Sequence, residues 1–162
     1  MRRTDREITD DATIRDIIEK AHVINLGVLD FPAPYVVPTN YGYEFTDNQL
    51  KLYIHGAPKG KKRGLIAANP EVSFSIVNDC GLDKPKAGEP LSNFSYFYRS
   101  VLGTGKATLV SDLKEKEHAL RLVLKHENGQ EIPGEIGQDS LAYVGVIRID
   151  VAQYTGKQHS AE

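Results

Sequence analysis

Residues 35–55 read Tyr-Val-Val-Pro-Thr-Asn-Tyr-Gly-Tyr-Glu-Phe-Thr-Asp-Asn-Gln-Leu-Lys-Leu-Tyr-Ile-His. Tyr35, Val37, Thr39, Tyr41 and Tyr43 alternate with Val36, Pro38, Asn40, Gly42 and Glu44, a period of two that predicts a strand over 35–45. Asp47-Asn48 supplies a turn, and Gln49 to His55 predicts the returning strand. Two such strands in succession make an antiparallel hairpin. Pro38 has no N–H for a ladder, which predicts a sheet edge or a bulge at that position.

Working outward, Thr9, Asp10 and Asp11 offer helix caps, and Ile14, Ile17, Ile18 and Ala21 recur at helical spacing, predicting a helix near 11–21. The run from His22 to Leu29 predicts a strand, turned by Pro32 and Pro34 into the hairpin. Downstream, Lys61 to Ala68 predicts a short helix stopped by Asn69-Pro70, and Val72, Phe74 and Ile76 mark another strand. Residues 81–93 read as a loop, a candidate lid. Ser95 to Val110 predicts a long strand bent at Gly103 and Gly105. Asp112 then caps a helix carrying Leu113, His118, Leu120, Leu122, Val123 and Leu124, and Tyr143 to Tyr154 closes as a last strand. About six strands, short turns and few helices predict a mainly β fold with helices, a small barrel, in one domain spanning 1–162.

The 20 Lys and Arg residues against 22 Asp and Glu leave a net charge of −2, which argues against a nucleic-acid binder. Cys80 is the only cysteine, so an intrachain disulfide and a cysteine-based zinc site are excluded, and a reducing, cytoplasmic setting is expected. The charged opening Met-Arg-Arg-Thr-Asp-Arg-Glu reads as neither a signal nor an anchor, and no apolar run reaches membrane-spanning length. The remaining histidines, His22, His118, His126 and His159, show no metal-ligand spacing, and no Gly-x-Ser-x-Gly elbow is present.

Chemistry concentrates where the hairpin ends. From Leu52 to Arg63 the chain runs Leu-Tyr-Ile-His-Gly-Ala-Pro-Lys-Gly-Lys-Lys-Arg, a strand emptying into a glycine-punctuated basic cluster and then a helix. A helix N-terminus offers unpaired N–H groups and partial positive charge; Lys59, Lys61, Lys62 and Arg63 add full charges, and Gly56, Gly60 and Gly64 let the backbone approach an anion. Against this stands the plain alternative of a solvated basic surface, and the spacing is not that of a P-loop.

Several segments together resemble the pyridoxamine 5′-phosphate oxidase-like, FMN-binding split-barrel family, and within it the nitroimidazole-resistance branch. They are the opening at 1–8, Pro-Tyr-Val-Val-Pro-Thr-Asn-Tyr-Gly-Tyr at 34–43, Leu-Tyr-Ile-His-Gly-Ala at 52–57, Gly-Lys-Lys at 60–62, Asn-Pro-Glu-Val-Ser-Phe at 69–74, Tyr-Arg-Ser-Val-Leu-Gly-x-Gly-Lys-Ala at 98–107 and Tyr-Thr-Gly-Lys-Gln at 154–158. The resemblance implies a six-stranded antiparallel Greek-key split β-barrel binding FMN as a homodimer with its flavin sites at the interface. It places Val37, Pro38, Thr39, Asn40, Tyr53, Ile54, His55 and Ala57 along the flavin, with backbone groups bonding the ring edge, and Lys61 and Lys62 at the phosphate, Lys62 above all. Tyr98, Arg99 and Ser100 match the segment that approaches the flavin from the partner chain.

Each assignment has a structural alternative. Asn40 can cap a bulge at Pro38, and Tyr41 and Tyr43, on the same face as Tyr35, can form a packed aromatic stripe, so Tyr41 and Tyr43 stay outside the expected site. A histidine ending a strand is more often packed than catalytic, yet His55 adjoins the basic cluster, where an imidazole can exchange protons. The chain ends soon after Gly156-Lys157 without the arginine-containing segment of true pyridoxamine phosphate oxidases, which disfavours vitamin B6 oxidation. Gly103-x-Gly105 stands alone, with no dinucleotide fingerprint. The expectation is an FMN-dependent oxidoreductase, of flavin reductase or nitroreductase type, passing electrons from a small-molecule donor to a small acceptor, with no nucleic-acid or membrane partner. The alternatives are a flavin-binding sensor, carrier or store without turnover, and haem binding on the same scaffold, which the lysine-rich segment suits less well.

Overall fold

The computed structural model describes residues 3–47 and 49–159. Met1 and Arg2 of the opening segment and Asn48 of the hairpin turn lie outside the described residues. Eight strands, β1 (Glu7–Ile8), β2 (Ile24–Val28), β3 (Tyr35–Thr39), β4 (Gly42–Thr46), β5 (Gln49–Gly56), β6 (Glu71–Asp83), β7 (Ser95–Val110) and β8 (Gly145–His159), form one antiparallel sheet. Its order is β3-β2-β6-β7-β8-β5-β4, with β1 added on β8.

The expected single strand over 35–45 divides into β3 and β4, which sit at opposite ends of that order although only Asn40 and Tyr41 separate them in the chain. The sheet must therefore curl round until its ends meet, which gives the expected mainly β barrel with a split at one seam. Counting β3 and β4 as one bent strand and setting aside the two-residue β1 recovers six barrel strands. Pro38 lies on terminal strand β3, where its missing N–H interrupts no second ladder.

Inward-facing residues of the strands, among them Leu26, Leu52, Ile54, Phe74, Ile76, Val101, Ile147 and Ile149, fill the barrel core, and Ile14, Ile17 and Ile18 of helix α1 (Asp11–Lys20) close it. Asp10 caps α1 by accepting from the Thr13 N–H at 2.8 Å. Helix α2 (Lys61–Ala68) follows β5. Helix α3 (Leu113–Asn128), capped by Asp112, covers the outside of β4 and β5, and the short α4 (Gln138–Tyr143) precedes β8. The buried face of α3 is Lys116, Ala119, Val123 and His126, while Leu113 and Leu124 are exposed, contrary to a reading by hydrophobicity alone. Lys116 Nζ donates to the Leu141 carbonyl at 3.0 Å, and His126 sets its ring nitrogens 2.6 Å from Tyr41 O and 3.0 Å from Glu19 O. Two polar side chains are thus buried because backbone carbonyls meet them there.

The expected 81–93 loop is shorter than the sequence indicates. β6 continues to Asp83 past a bulge between Asn78 and Gly81, so residues 84–94 are the tip of a long β6–β7 hairpin. The bend expected at the glycines of β7 is a register shift against β8 between Thr104 and Gly105 within one continuous strand. The last strand starts at Gly145 and runs to His159, because α4 occupies the residues before it.

Candidate functional site

The split seam is chemically distinctive because its backbone is unpaired. β3 pairs only with β2, and β4 ends where Gly42 meets Tyr53, so Ile54 to Gly56 have only β8 beside them. Both lips of the seam therefore carry N–H and C=O groups with no neighbouring strand, at the residues expected to bond a planar ring by backbone alone.

At one end of the seam lies a cavity of about 260 Å³ lined by Tyr35 and Val37 of β3, His55 to Ala57 ending β5, Lys59 to Arg63 entering α2, and Gly145 and Ile147 of β8. Val37, His55, Ala57, Lys61 and Lys62 of the expected residues converge here. Gly60, at φ +144, stands at the N-cap of α2 without a side-chain cap, leaving the first N–H groups of the helix to another acceptor. Of the three glycines read as easing anion approach, Gly60 alone has a backbone conformation that requires glycine. Gly145 is demanding in another way, since a Cβ there would stand 2.5 Å from the Ala57 carbonyl oxygen and 3.0 Å from the Arg63 guanidinium.

The four cations are not equivalent. Lys61 Nζ is 2.7 Å from Asp30 Oδ2 and 4.9 Å from the Tyr35 ring centre, and the hydrogen bond it donates to Asp30 raises its pKa. Arg63 donates to the Val146 carbonyl at 3.1 Å. Lys62 is half-buried and has no acidic side chain within ion-pairing distance among the described residues; burial first, then the charge of Arg63, lowers its pKa. His55 adds a buried Nδ1 with no hydrogen-bond partner. A half-buried cation and an uncapped helix end facing one cavity are the complement of an oxyanion.

The other expected residues sit elsewhere. Pro38, Thr39 and Asn40 lie along the seam beyond the cavity. The Ile54 side chain is in the barrel core. Tyr53 turns outward beneath α3, packed with Val110, Ala119 and Val146, and its hydroxyl donates to Glu44 Oε1 at 2.8 Å, so only its backbone faces the seam region. Arg99 is held within its own chain by Asp16 at 2.8 Å and Asp79 at 2.9 Å, a clamp between α1 and the β6 bulge. Ser100 is buried and donates to the Lys157 carbonyl at 3.3 Å; Tyr98 lies beside Lys157, whose Nζ is 5.6 Å from its ring centre. Tyr35, read as part of an aromatic stripe, lines the cavity, and Ile147, Gly145 and Asp30 complete it or its rim; those three escaped the reading because their approach is tertiary and leaves no local pattern. No group of three metal-ligating side chains occurs among the described residues, and none of their helices is long and apolar enough to cross a membrane.

A split barrel with a basic socket at its seam defines the class of protein. The chain belongs to the pyridoxamine 5′-phosphate oxidase family, whose sequence model matches residues 10–158. Among solved structures it is similar to a candidate 5-nitroimidazole antibiotic resistance protein from Bacteroides thetaiotaomicron, with 29% identity, a TM-score of 0.79 and coverage of 94% of this chain and 86% of that one. A FAD-binding protein from Mesorhizobium loti matches with 24% identity, a TM-score of 0.64 and coverage of 96% and 98%. The flavocytochrome Anf3 from Azotobacter vinelandii matches with 19% identity, a TM-score of 0.77 and coverage of 99% and 72%. The last two likenesses establish the fold alone. No curated protein matches the sequence.

Proposed function

We propose that this protein binds FMN at the split seam and acts as an FMN-dependent oxidoreductase on small molecules, with a second copy of the chain completing the site. The observation that carries the reading is Lys62, a half-buried ammonium without a carboxylate, beside an uncapped helix N-terminus in one cavity. A phosphate monoester satisfies both. Bound FMN would supply hydride and electron transfer.

The residues of the chain then have distinct tasks. Lys62 and the α2 N–H groups would hold the phosphate, and the backbone of Val37 to Asn40 and of Ile54 to Ala57 would line the ring. His55 lines the cavity edge, where its imidazole would stand beside the ring or the substrate, while its Nδ1 is buried without a partner. The family and the similarity to a nitroimidazole-resistance protein support a nitroaromatic or similarly small acceptor.

The need for a partner rests on size and on surface. A cavity of about 260 Å³ is smaller than the roughly 300–1,000 Å³ typical of small-molecule sites. The outer face of β3, β2, β6, β7 and β8 carries a patch of Val36, Asn25, Gly27, Ser73, Ser75, Leu102, Thr104, Gln153 and Thr155, bordered by the Glu71–Lys106 ion pair. Such a patch of small, uncharged side chains suits an isologous interface.

The test is the absorption spectrum of the purified protein, with the released chromophore identified by mass. FMN supports the reading; a Soret band redirects it to haem; a colourless protein that takes up no added FMN overturns it. Sustained turnover of a reduced nicotinamide with an acceptor separates an enzyme from a flavin store. Lys62→Ala should weaken FMN much more than riboflavin, and equal losses would remove Lys62 from the phosphate.

A further inference from the structure

We infer that Asp30 makes the socket select a flavin ending in a phosphate monoester over one continuing through a pyrophosphate, FMN over FAD. The inference rests on the flavin reading above and adds a discriminating residue to it. The two nucleotides share the ring and the first phosphate, so discrimination must come from what surrounds the outward side of that phosphate.

There the structure places an acid. Asp30, in the turn after β2, reaches Lys61 at the start of α2 with 2.7 Å between Oδ2 and Nζ, and its other oxygen accepts from the Phe31 N–H at 2.8 Å. The carboxylate is thus fixed at both oxygens, and it is the inner member of the pair, 20% exposed against 59% for Lys61. The pair joins the turn that leads into Tyr35 and Val37 to the segment carrying Lys59 to Arg63, the two walls of the cavity. Lys61 also lies over the Tyr35 ring, so the clasp runs across the rim.

Two consequences follow from charge. With Lys61 engaged by Asp30 and Arg63 bonded to the Val146 carbonyl, Lys62, the exposed Lys59 and the helix N–H groups remain for an anion. A second phosphate leaving the socket past Lys61 must compete with Asp30 for that ammonium, and the adenosine beyond it must break the clasp. An acid that already holds the cation the competing ligand would need is how a site discriminates when the shared parts bind alike. The bond from Lys61 and the Phe31 N–H hold Asp30 below the usual carboxylate range, so the charge is present throughout the neutral range.

The experiment is a fluorescence titration of the flavin-free full chain with FMN, FAD and riboflavin, for the wild type, Asp30→Asn and Lys61→Gln, with thermal midpoints as a folding control. The wild type is expected to hold FMN about tenfold or more tighter than FAD. Asp30→Asn should narrow that ratio about fivefold or more by improving FAD, with riboflavin unchanged, whereas Lys61→Gln, which leaves Asp30 uncompensated, should widen it. Equal affinities of the wild type for FMN and FAD, or a ratio unmoved by both substitutions, would overturn the role of Asp30 and leave the flavin reading standing. A wild type that binds no flavin overturns both.

Discussion

Lys62 and Arg99 are both cations matched to the flavin by resemblance, and their surroundings give them different work. Lys62 has lost solvent without gaining an acid, so its pKa is lowered, first by burial and then by Arg63. A bound phosphate favours the protonated form. Flavin affinity is therefore complete at low and neutral pH and should decline as the pH rises through the lowered pKa of Lys62, earlier than for an ordinary lysine. Titrating FMN against pH checks this, and the decline should vanish in Lys62→Arg, because arginine stays charged over the accessible range. Arg99 is satisfied by Asp16, Asp79 and the Thr13 carbonyl. Arg99→Ala should cost about 1 kcal/mol of stability, lowering the thermal midpoint by about 2–4 °C. An unchanged midpoint with weakened flavin binding would instead assign Arg99 to a partner's site.

Helix α3 and strand β4 meet at Gly42. A Cβ at that position would lie 2.5 Å from the Val123 nitrogen and 2.7 Å from the Leu122 carbonyl carbon, so the obstacle is backbone, which cannot swing aside. Gly42→Ala should destabilise by about 1–3 kcal/mol through overpacking, and denaturant unfolding measures it. The same two elements are tied by Glu44, which accepts from the Tyr53 hydroxyl at 2.8 Å and faces His118 Nε2 at 2.9 Å. Desolvation pushes the Glu44 pKa up, but the bonds from His118 and Tyr53 outweigh it and leave the pKa lowered. The stability this confers is present above the ordinary glutamate pKa and is lost as the pH falls through the lowered one. Glu44→Gln should flatten the acid limb of a plot of thermal midpoint against pH, and an acid limb of unchanged slope would show that other carboxylates produce it.

At the scale of the whole molecule, the outer face of the barrel carries an uncharged patch in which Leu102 is 48% exposed. If that face joins two copies, Leu102→Asp should convert a dimer to a monomer in sedimentation and weaken flavin binding with it. A wild type that sediments as a monomer would remove both the dimer and the shared site.

Much of this was legible in the chain. The alternation over 35–55 and the capping residues Asp10 and Asp112 specify strands and helices through backbone sterics and local hydrogen bonds. The basic cluster announced its own chemistry because Lys59 to Arg63 are neighbours in sequence. Tertiary structure decided what depends on residues distant in the chain. The break between β3 and β4 at Asn40 and Tyr41, invisible in a continuous alternation, arises because the sheet must close on itself. Asp30 reaches Lys61 at the cavity rim, Gly145 lets β8 approach Ala57 and Arg63 closely, and burial sets Lys62 apart from its neighbours. Local periodicity specifies which elements form, but desolvation and ion pairing depend on what packs around a side chain, and so only the folded chain tells the free cation from the neutralised one.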